Sequence, residues 1–150
     1  IIIFSYRWSK DELDYVFNIM VPFLKSLNKK IIITSNTNEY KVRSKMYTLI
    51  DSVVLFENNN IDYFGQKNLY YKNRTIHSKS KINIKLKKLV EKYNLIFLNK
   101  EDYLCDLSLM ECDYVTDKGF KIFHDYGHHT FEGAKYLGEK IYKIGWFTVN

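Results

Sequence analysis

Two short apolar runs, Ile1-Ile2-Ile3-Phe4 and Ile31-Ile32-Ile33-Thr34, stand on either side of a helix-length segment and constrain this chain more than anything else in it. Four consecutive large apolar residues in the first run, and three before Thr34 in the second, suit strands of a parallel sheet, the first covered on both faces, since a strand with one wet face would alternate. Between the runs, Ser9 and Glu12 form a Ser-x-x-Glu capping box, and Leu13, Val16, Phe17, Met20, Phe23, Leu24 and Leu27 recur at helical spacing. This predicts a helix from Ser9 to Asn28 with those side chains buried, kinked or locally broken by Pro22. Strand, helix, strand in that order is a right-handed parallel unit, so the expected class is α/β.

The polar loop Ser35-Asn36-Thr37-Asn38 follows, and the middle of the chain is weaker in signal. Val42 to Ile50 reads as a short helix, Asp51 to Phe56 as a strand-like run, and Asn58-Asn59-Asn60 as a turn. Tyr63, Phe64, Tyr70 and Tyr71 are spread through a lysine-rich segment; the favoured reading has them capping the core with their hydroxyls in water, and the other has them lining a glycan cleft. His77 has no partner nearby in sequence and receives no role. From Ser80, the positions Ile82, Leu86, Leu89, Val90 and Tyr93 make an amphipathic helix, and Leu95 to Leu98 is the next buried strand. Cys105 and Cys112 share one local loop, and the spacing leaves open whether they are bridged. Asp117-Lys118-Gly119 is a turn into an alternating short strand, Phe120 to Phe123. No repeat, linker or second domain is legible, so one domain over 1–150 is expected.

The chemistry is concentrated in Phe123-His124-Asp125-Tyr126-Gly127-His128-His129-Thr130-Phe131-Glu132-Gly133-Ala134, which holds three of the four histidines. Thr130 is a good N-cap, and Tyr136, Leu137, Ile141 and Ile144 follow at helical spacing, so the histidines sit at a helix N-terminus. Asp125 and His128 are separated by two residues, one of them Gly127. A tight turn there folds the carboxylate onto one imidazole nitrogen and leaves the other facing a cleft, as a general base is oriented in a nucleophile-base-acid triad. His124, Asp125, His128 and His129 are also all metal-ligand types, although ligands this crowded do not usually reach one ion, and no metal or other cofactor is expected.

The string Asp-x-x-His, a hydroxyl residue and Gly-Ala opening a terminal helix resembles the last block of the SGNH (GDSL-like) hydrolase superfamily. More narrowly, it is similar to the SGNH domain fused to acyltransferase-3 membrane proteins, whose usual form is Asp-x-x-His-Leu-Ser/Thr-x-x-Gly-Ala; here His129 stands in the Leu position. The likeness covers about residues 80 to 144, and less specifically 1 to 34, where Tyr6-Arg7-Trp8-Ser9 resembles a strand ending in Arg-Trp ahead of a long helix. It implies a three-layer α/β/α domain with a parallel sheet, SGNH/flavodoxin-like and incomplete at its N-terminus. It implies O-acyl transfer, typically of acetyl, to a hydroxyl of a cell-surface polysaccharide or glycan such as lipopolysaccharide. Asp125 and His128 become the catalytic pair, with Arg7, Trp8 and His129 as substrate contacts, although Trp8 packed in the core with Arg7 at the surface is an even alternative. The resemblance also favours a Cys105–Cys112 disulfide, an extracytoplasmic location on the periplasmic side of a bacterial membrane, and a tether through an upstream acyltransferase module. The partners are then a glycan acceptor and an acyl donor.

Two family features are missing. No Gly-x-Asn-Asp segment is present, which removes an oxyanion donor. No Gly-Asp-Ser block is present either, so the expected nucleophile is a serine upstream of Ile1; Ser5 is the lesser candidate, since no glycine flanks it to permit a strained elbow. The alternatives to transfer are a carbohydrate esterase with water as acceptor, an inactive glycan-binding remnant, or a His/Asp metal site.

Composition excludes other classes. With 46% hydrophobic and 17% aromatic residues, 150 residues bury a real core. The net charge of +6 comes from lysines scattered among Asn, Ile and Tyr, as AT-rich coding produces, and the only arginines are Arg7, Arg43 and Arg74, so nucleic acid is not an expected partner. No apolar run approaches the roughly 20 residues of a membrane span. The opening run has no basic flank and is no signal peptide; the chain begins inside an apolar strand, as a fragment would.

Overall fold

The computed structural model describes residues 1–37, 39–40, 51, 63–74 and 81–148. The readings of Val42 to Ile50, of the run beyond Asp51, of Asn58-Asn59-Asn60 and of His77 fall outside them. The chain gathers into two compact units, each made of separate stretches: Ile1–Thr37 with Ile76–Lys100 and Val149–Asn150, and Asn38–Thr75 with Glu101–Thr148.

The first unit is a mixed α/β arrangement around a three-stranded parallel sheet of order β1 (Ile2–Phe4), β2 (Ile31–Thr34), β3 (Ile96–Leu98). Ile2 pairs with Ile31, and Ile32 with Ile96. All four residues of β2 are buried, as a central parallel strand requires. β1 departs from the expectation of burial on both faces, because it pairs on one edge only among the described strands and leaves Ile1 and Ile3 exposed. Phe4, Ile31 and Ile33 pack on one side with Leu13, Val16, Phe17, Val21, Leu24, Leu86 and Val90.

The helix after β1 begins with the expected capping box: the Ser9 hydroxyl accepts from Glu12 N–H, and the Glu12 carboxylate accepts from Ser9 N–H. It runs as α1 (Lys10–Tyr15), a π-helical turn (Val16–Met20) and α2 (Val21–Ser26). Pro22 has no N–H to donate, and its ring would press on the carbonyl four residues earlier; the widened turn lies where that room is needed, and no sharp break occurs. Phe23 and Leu27, expected in the buried stripe, are exposed, and with Tyr15 and Ile19 they form an outward apolar row at four-residue spacing. The π turn divides the apolar residues between two faces, which a uniform 3.6-residue period does not anticipate.

Both helices that lead back into the sheet end alike. Asn28 after α2, and Asn94 after α4 (Lys81–Lys92; α3 belongs to the second unit), adopt positive φ. Lys29 N–H then reaches Leu24 O and Leu95 N–H reaches Val90 O, closing the helix ends as Schellman motifs.

The second unit contains α3 (Tyr63–Asn73), α5 (Glu101–Leu104), a two-stranded antiparallel ribbon of β4 (Cys105–Asp106) and β5 (Glu111–Cys112), and α6 (Phe131–Lys143). Cys105 and Cys112 are bridged. The turn at Asp117-Lys118-Gly119 forms, with Gly119 at φ 80° and its N–H donating to Thr116 O. The expected strand 120–123 is reduced to two isolated bridges, Val115 with Lys121 and Phe123 with His129. Tyr40, Tyr70, Tyr114 and Phe123 interlock with ring centroids 4.9–5.1 Å apart. The Tyr70 hydroxyl is therefore not in water as expected; it is buried and donates to Asp51. Tyr71 carries the Arg74 guanidinium over its ring. Among the described residues, no helix is long and apolar enough to cross a membrane.

Candidate functional site

The loop His124–His129 is held at both ends by backbone bonds. His124 N–H donates to His128 O at 2.7 Å, Phe123 and His129 form a bridge, and Thr130 N–H donates to Ile122 O at 2.8 Å. Tyr40 N–H donates to Tyr126 O at 2.7 Å and fixes the loop's crest. Thr130 caps α6: its hydroxyl accepts from Gly133 N–H and donates to Lys121 O. Gly133 explains the Gly-Ala element of the sequence string, since a Cβ there would meet Ile122 O at 2.3 Å and Ile122 Cα at 2.6 Å. Without a side chain at 133, α6 lies directly on the backbone from which the loop departs.

Within this frame Asp125 turns back on its own loop. Its Oδ1 accepts from Gly127 N–H at 3.1 Å and His128 N–H at 2.9 Å, while His128 Nδ1 lies 3.0 Å from Oδ1 and 2.8 Å from Oδ2. Desolvation pulls the Asp125 carboxyl upward, but the His128 ring, the two backbone N–H groups and the imidazole charge outweigh it and hold the group at about 2. The carboxylate is thus ionised at neutral pH and, in the uncharged imidazole, selects the tautomer with the proton on Nδ1. Nε2 is then the acceptor on a side chain that is 69% exposed, and Tyr126 contacts the ring edge-on at 5.3 Å. This constellation can take a proton from a hydroxyl and return it to a leaving or accepting group.

The remaining expected residues are placed differently. His129, expected to face solvent or substrate, is half-buried with its ring on Phe123 at 5.1 Å. Trp8 is in the first unit's core; its indole N–H donates to Thr34 O at 2.7 Å, and Asn36 Oδ1 accepts from its backbone N–H at 2.6 Å. Of its two readings, the packed one describes its position. Arg7 and Ser5 are exposed in the segment after β1. His124 is exposed, and no group of three or more His, Cys, Asp or Glu side chains converges as a metal site among the described residues.

Three buried carboxylates of this unit, Asp113, Asp51 and Glu101, the last paired with Arg74 at 2.8 Å, escaped the sequence reading. Asp113 accepts from Lys140 at 2.6 Å and the Tyr136 hydroxyl at 3.1 Å and pairs with Lys67 at 3.0 Å. Burial raises its carboxyl, but Lys140 and Lys67 together lower it below the ordinary range. Asp51 joins Tyr70 and Lys121. Their partners lie 19 to 70 residues away, and no local spacing marks them.

Compared with family models, with curated proteins and with solved structures, the chain has no match.

Proposed function

We propose that this chain is the C-terminal part of an SGNH-type O-acyltransferase domain that transfers an acyl group, most simply acetyl, to a hydroxyl of a cell-surface glycan. The observation that carries the reading is the Asp125–His128 pair, with Nδ1 held by the carboxylate at 2.8 Å on a side chain that is otherwise largely exposed. Support also comes from the Thr130 cap and Gly133, which give the sequence string a mechanical purpose, and from the parallel order β1-β2-β3, which is compatible with a three-layer α/β/α sheet. The disulfide is consistent with an extracytoplasmic setting.

In this reading the serine belongs to a Gly-Asp-Ser segment that these 150 residues do not contain. His128 Nε2 takes the serine proton as the hydroxyl attacks the donor's acyl carbon, and passes it to the departing group. The sugar hydroxyl then gives its proton to Nε2 as it attacks the acyl-serine, and the serine leaves with that proton. Asp125 stays ionised and stabilises the imidazolium in both halves.

The test is acyl transfer by the protein expressed from its complete coding sequence, with a labelled acyl donor and a glycan acceptor. His128→Ala and Asp125→Asn each lower transfer by about 10²–10⁴-fold while the circular dichroism spectrum is kept. Unchanged turnover in His128→Ala defeats the proposal. Label appearing in free acid despite saturating acceptor assigns an esterase instead.

A further inference from the structure

We propose that the second unit carries a binding cleft for one neutral pyranose ring between the turn at Asp117 and the outer face of α6. This rests on reading the chain as a glycan-modifying protein and adds a subsite to it. The cleft has a volume of about 250 Å³, below the usual range for drug-sized ligands and suited to a single ring. Phe120 and Phe131 line it, 51% and 81% exposed. A phenylalanine left that open forgoes most of its burial free energy, and two lining one concavity mark a surface waiting for an apolar face.

The charged lining carries the second half of the argument. The exposed side chains of Asp117, Glu132, Glu139, Lys118 and Lys135 line the cleft, and none of these side chains makes a hydrogen bond or ion pair among the described residues. Elsewhere in this unit Asp51, Glu101, Asp113 and Asp125 are all engaged by donors. Carboxylates and ammonium groups that share one lining without bonding each other suit a ligand whose groups both donate and accept, which is the property of a hydroxyl. A pyranose offers hydroxyls around its rim and an apolar C–H face for the phenyl rings. Three carboxylates against two lysines disfavour a uronate or phosphosugar, although the chain as a whole is at +6. The two lysines in turn disfavour a quaternary amine, the other ligand that aromatic and acidic groups recognise.

The full chain, labelled with nitrogen-15, is titrated with methyl glucopyranoside, methyl galactopyranoside and methyl N-acetylglucosaminide, and separately with choline, at concentrations that fill a site with a Kd of about 1 mM. At least one neutral sugar is expected to shift the amides of Phe120, Phe131 and Lys135. Phe131→Ala weakens that binding by about tenfold and Phe131→Trp restores it, both at unchanged Tm because the ring packs on little of the fold. No shift with any of the three sugars, shifts confined to other residues, undiminished binding by Phe131→Ala, or binding of choline in place of sugar overturns the cleft. His128→Ala leaves sugar binding within about twofold of the parent, since the imidazole is not part of the lining. Loss of the cleft with transfer still dependent on His128 therefore refutes this inference alone, and sugar binding with transfer indifferent to His128 refutes the acyl-transfer reading alone.

Discussion

Replacing Gly133 and Gly138 by alanine, one at a time, gives opposite signs on the same helix. Both glycines lie in α6, where exchange for alanine removes backbone freedom from the unfolded chain and by itself stabilises by about 0.5–1 kcal/mol. At Gly138 an added Cβ meets nothing within 4 Å, so that gain is realised. At Gly133 the Cβ falls 2.3, 2.6 and 2.8 Å from O, Cα and C of Ile122, all backbone atoms. Ordinary carbon contacts begin near 3.5 Å, so α6 must withdraw by about 1 Å. The Ile122 carbonyl cannot follow freely, because it accepts from Thr130 N–H while Ile122 N–H donates to Tyr114 O. Overpacking costs about 1–3 kcal/mol, and against backbone atoms that cannot rotate away it lies at the upper end, about 3 kcal/mol, leaving a net loss near 2 kcal/mol after the helix gain. For a chain of this size that lowers Tm by about 4–8 °C, while Gly138→Ala raises it by about 1–4 °C. Thermal unfolding followed at 222 nm reads both. A Gly133→Ala variant as stable as Gly138→Ala would show that α6 does not rest on Ile122 and would undo the explanation of the Gly-Ala element.

Further outcomes follow from the second unit. Asp125 is held at about 2, below its ordinary range, so the stability it contributes is present above about pH 4 and is lost as pH falls toward 2; urea midpoints of the parent decline more across that window than those of Asp125→Asn. Reduction of Cys105–Cys112, which closes a short loop of separation 7, removes about 2–3 kcal/mol of unfolded-chain restriction and lowers the urea midpoint in reductant, an effect absent from a Cys105→Ser/Cys112→Ser double variant. Asp113→Ala leaves Lys67 and Lys140 without their shared carboxylate and destabilises by roughly 1–3 kcal/mol, whereas exposed Asp117→Ala shifts the midpoint by less than about 0.5 kcal/mol.

What the sequence made legible is local. The apolar runs declared β1 and β2, Ser9 with Glu12 declared the start of α1, and Thr130 declared α6, because each signal spans a few residues. The turn that brings Asp125 to His128 is legible for the same reason, since two intervening residues leave the carboxylate little else to bind. Features set by distant chain were not legible. Phe23 and Leu27 share the spacing of Leu24, and only the π turn decides which of them faces the sheet. Ile3 is as apolar as Ile32, yet among the described strands one lies on the outer strand and the other on the central one. His129 differs from His128 by one position, and the alternation at the Phe123 bridge turns it inward.

The interleaving of the two units orders events in time. β1 and β2 are joined by a single helix, and every residue their pairing needs lies within the first 34. β3 has to find β2 across the excursion that builds part of the other unit, with Ile32 meeting Ile96, and the Tyr40–Tyr126 bond closes a longer loop still. Contacts between such distant residues bear a larger loop-closure entropy and form late. The second edge of β2 therefore has no partner strand until residues 96–98 have been made, and the His128 loop, clamped by residues on both sides of that interval, depends on the longest of these closures.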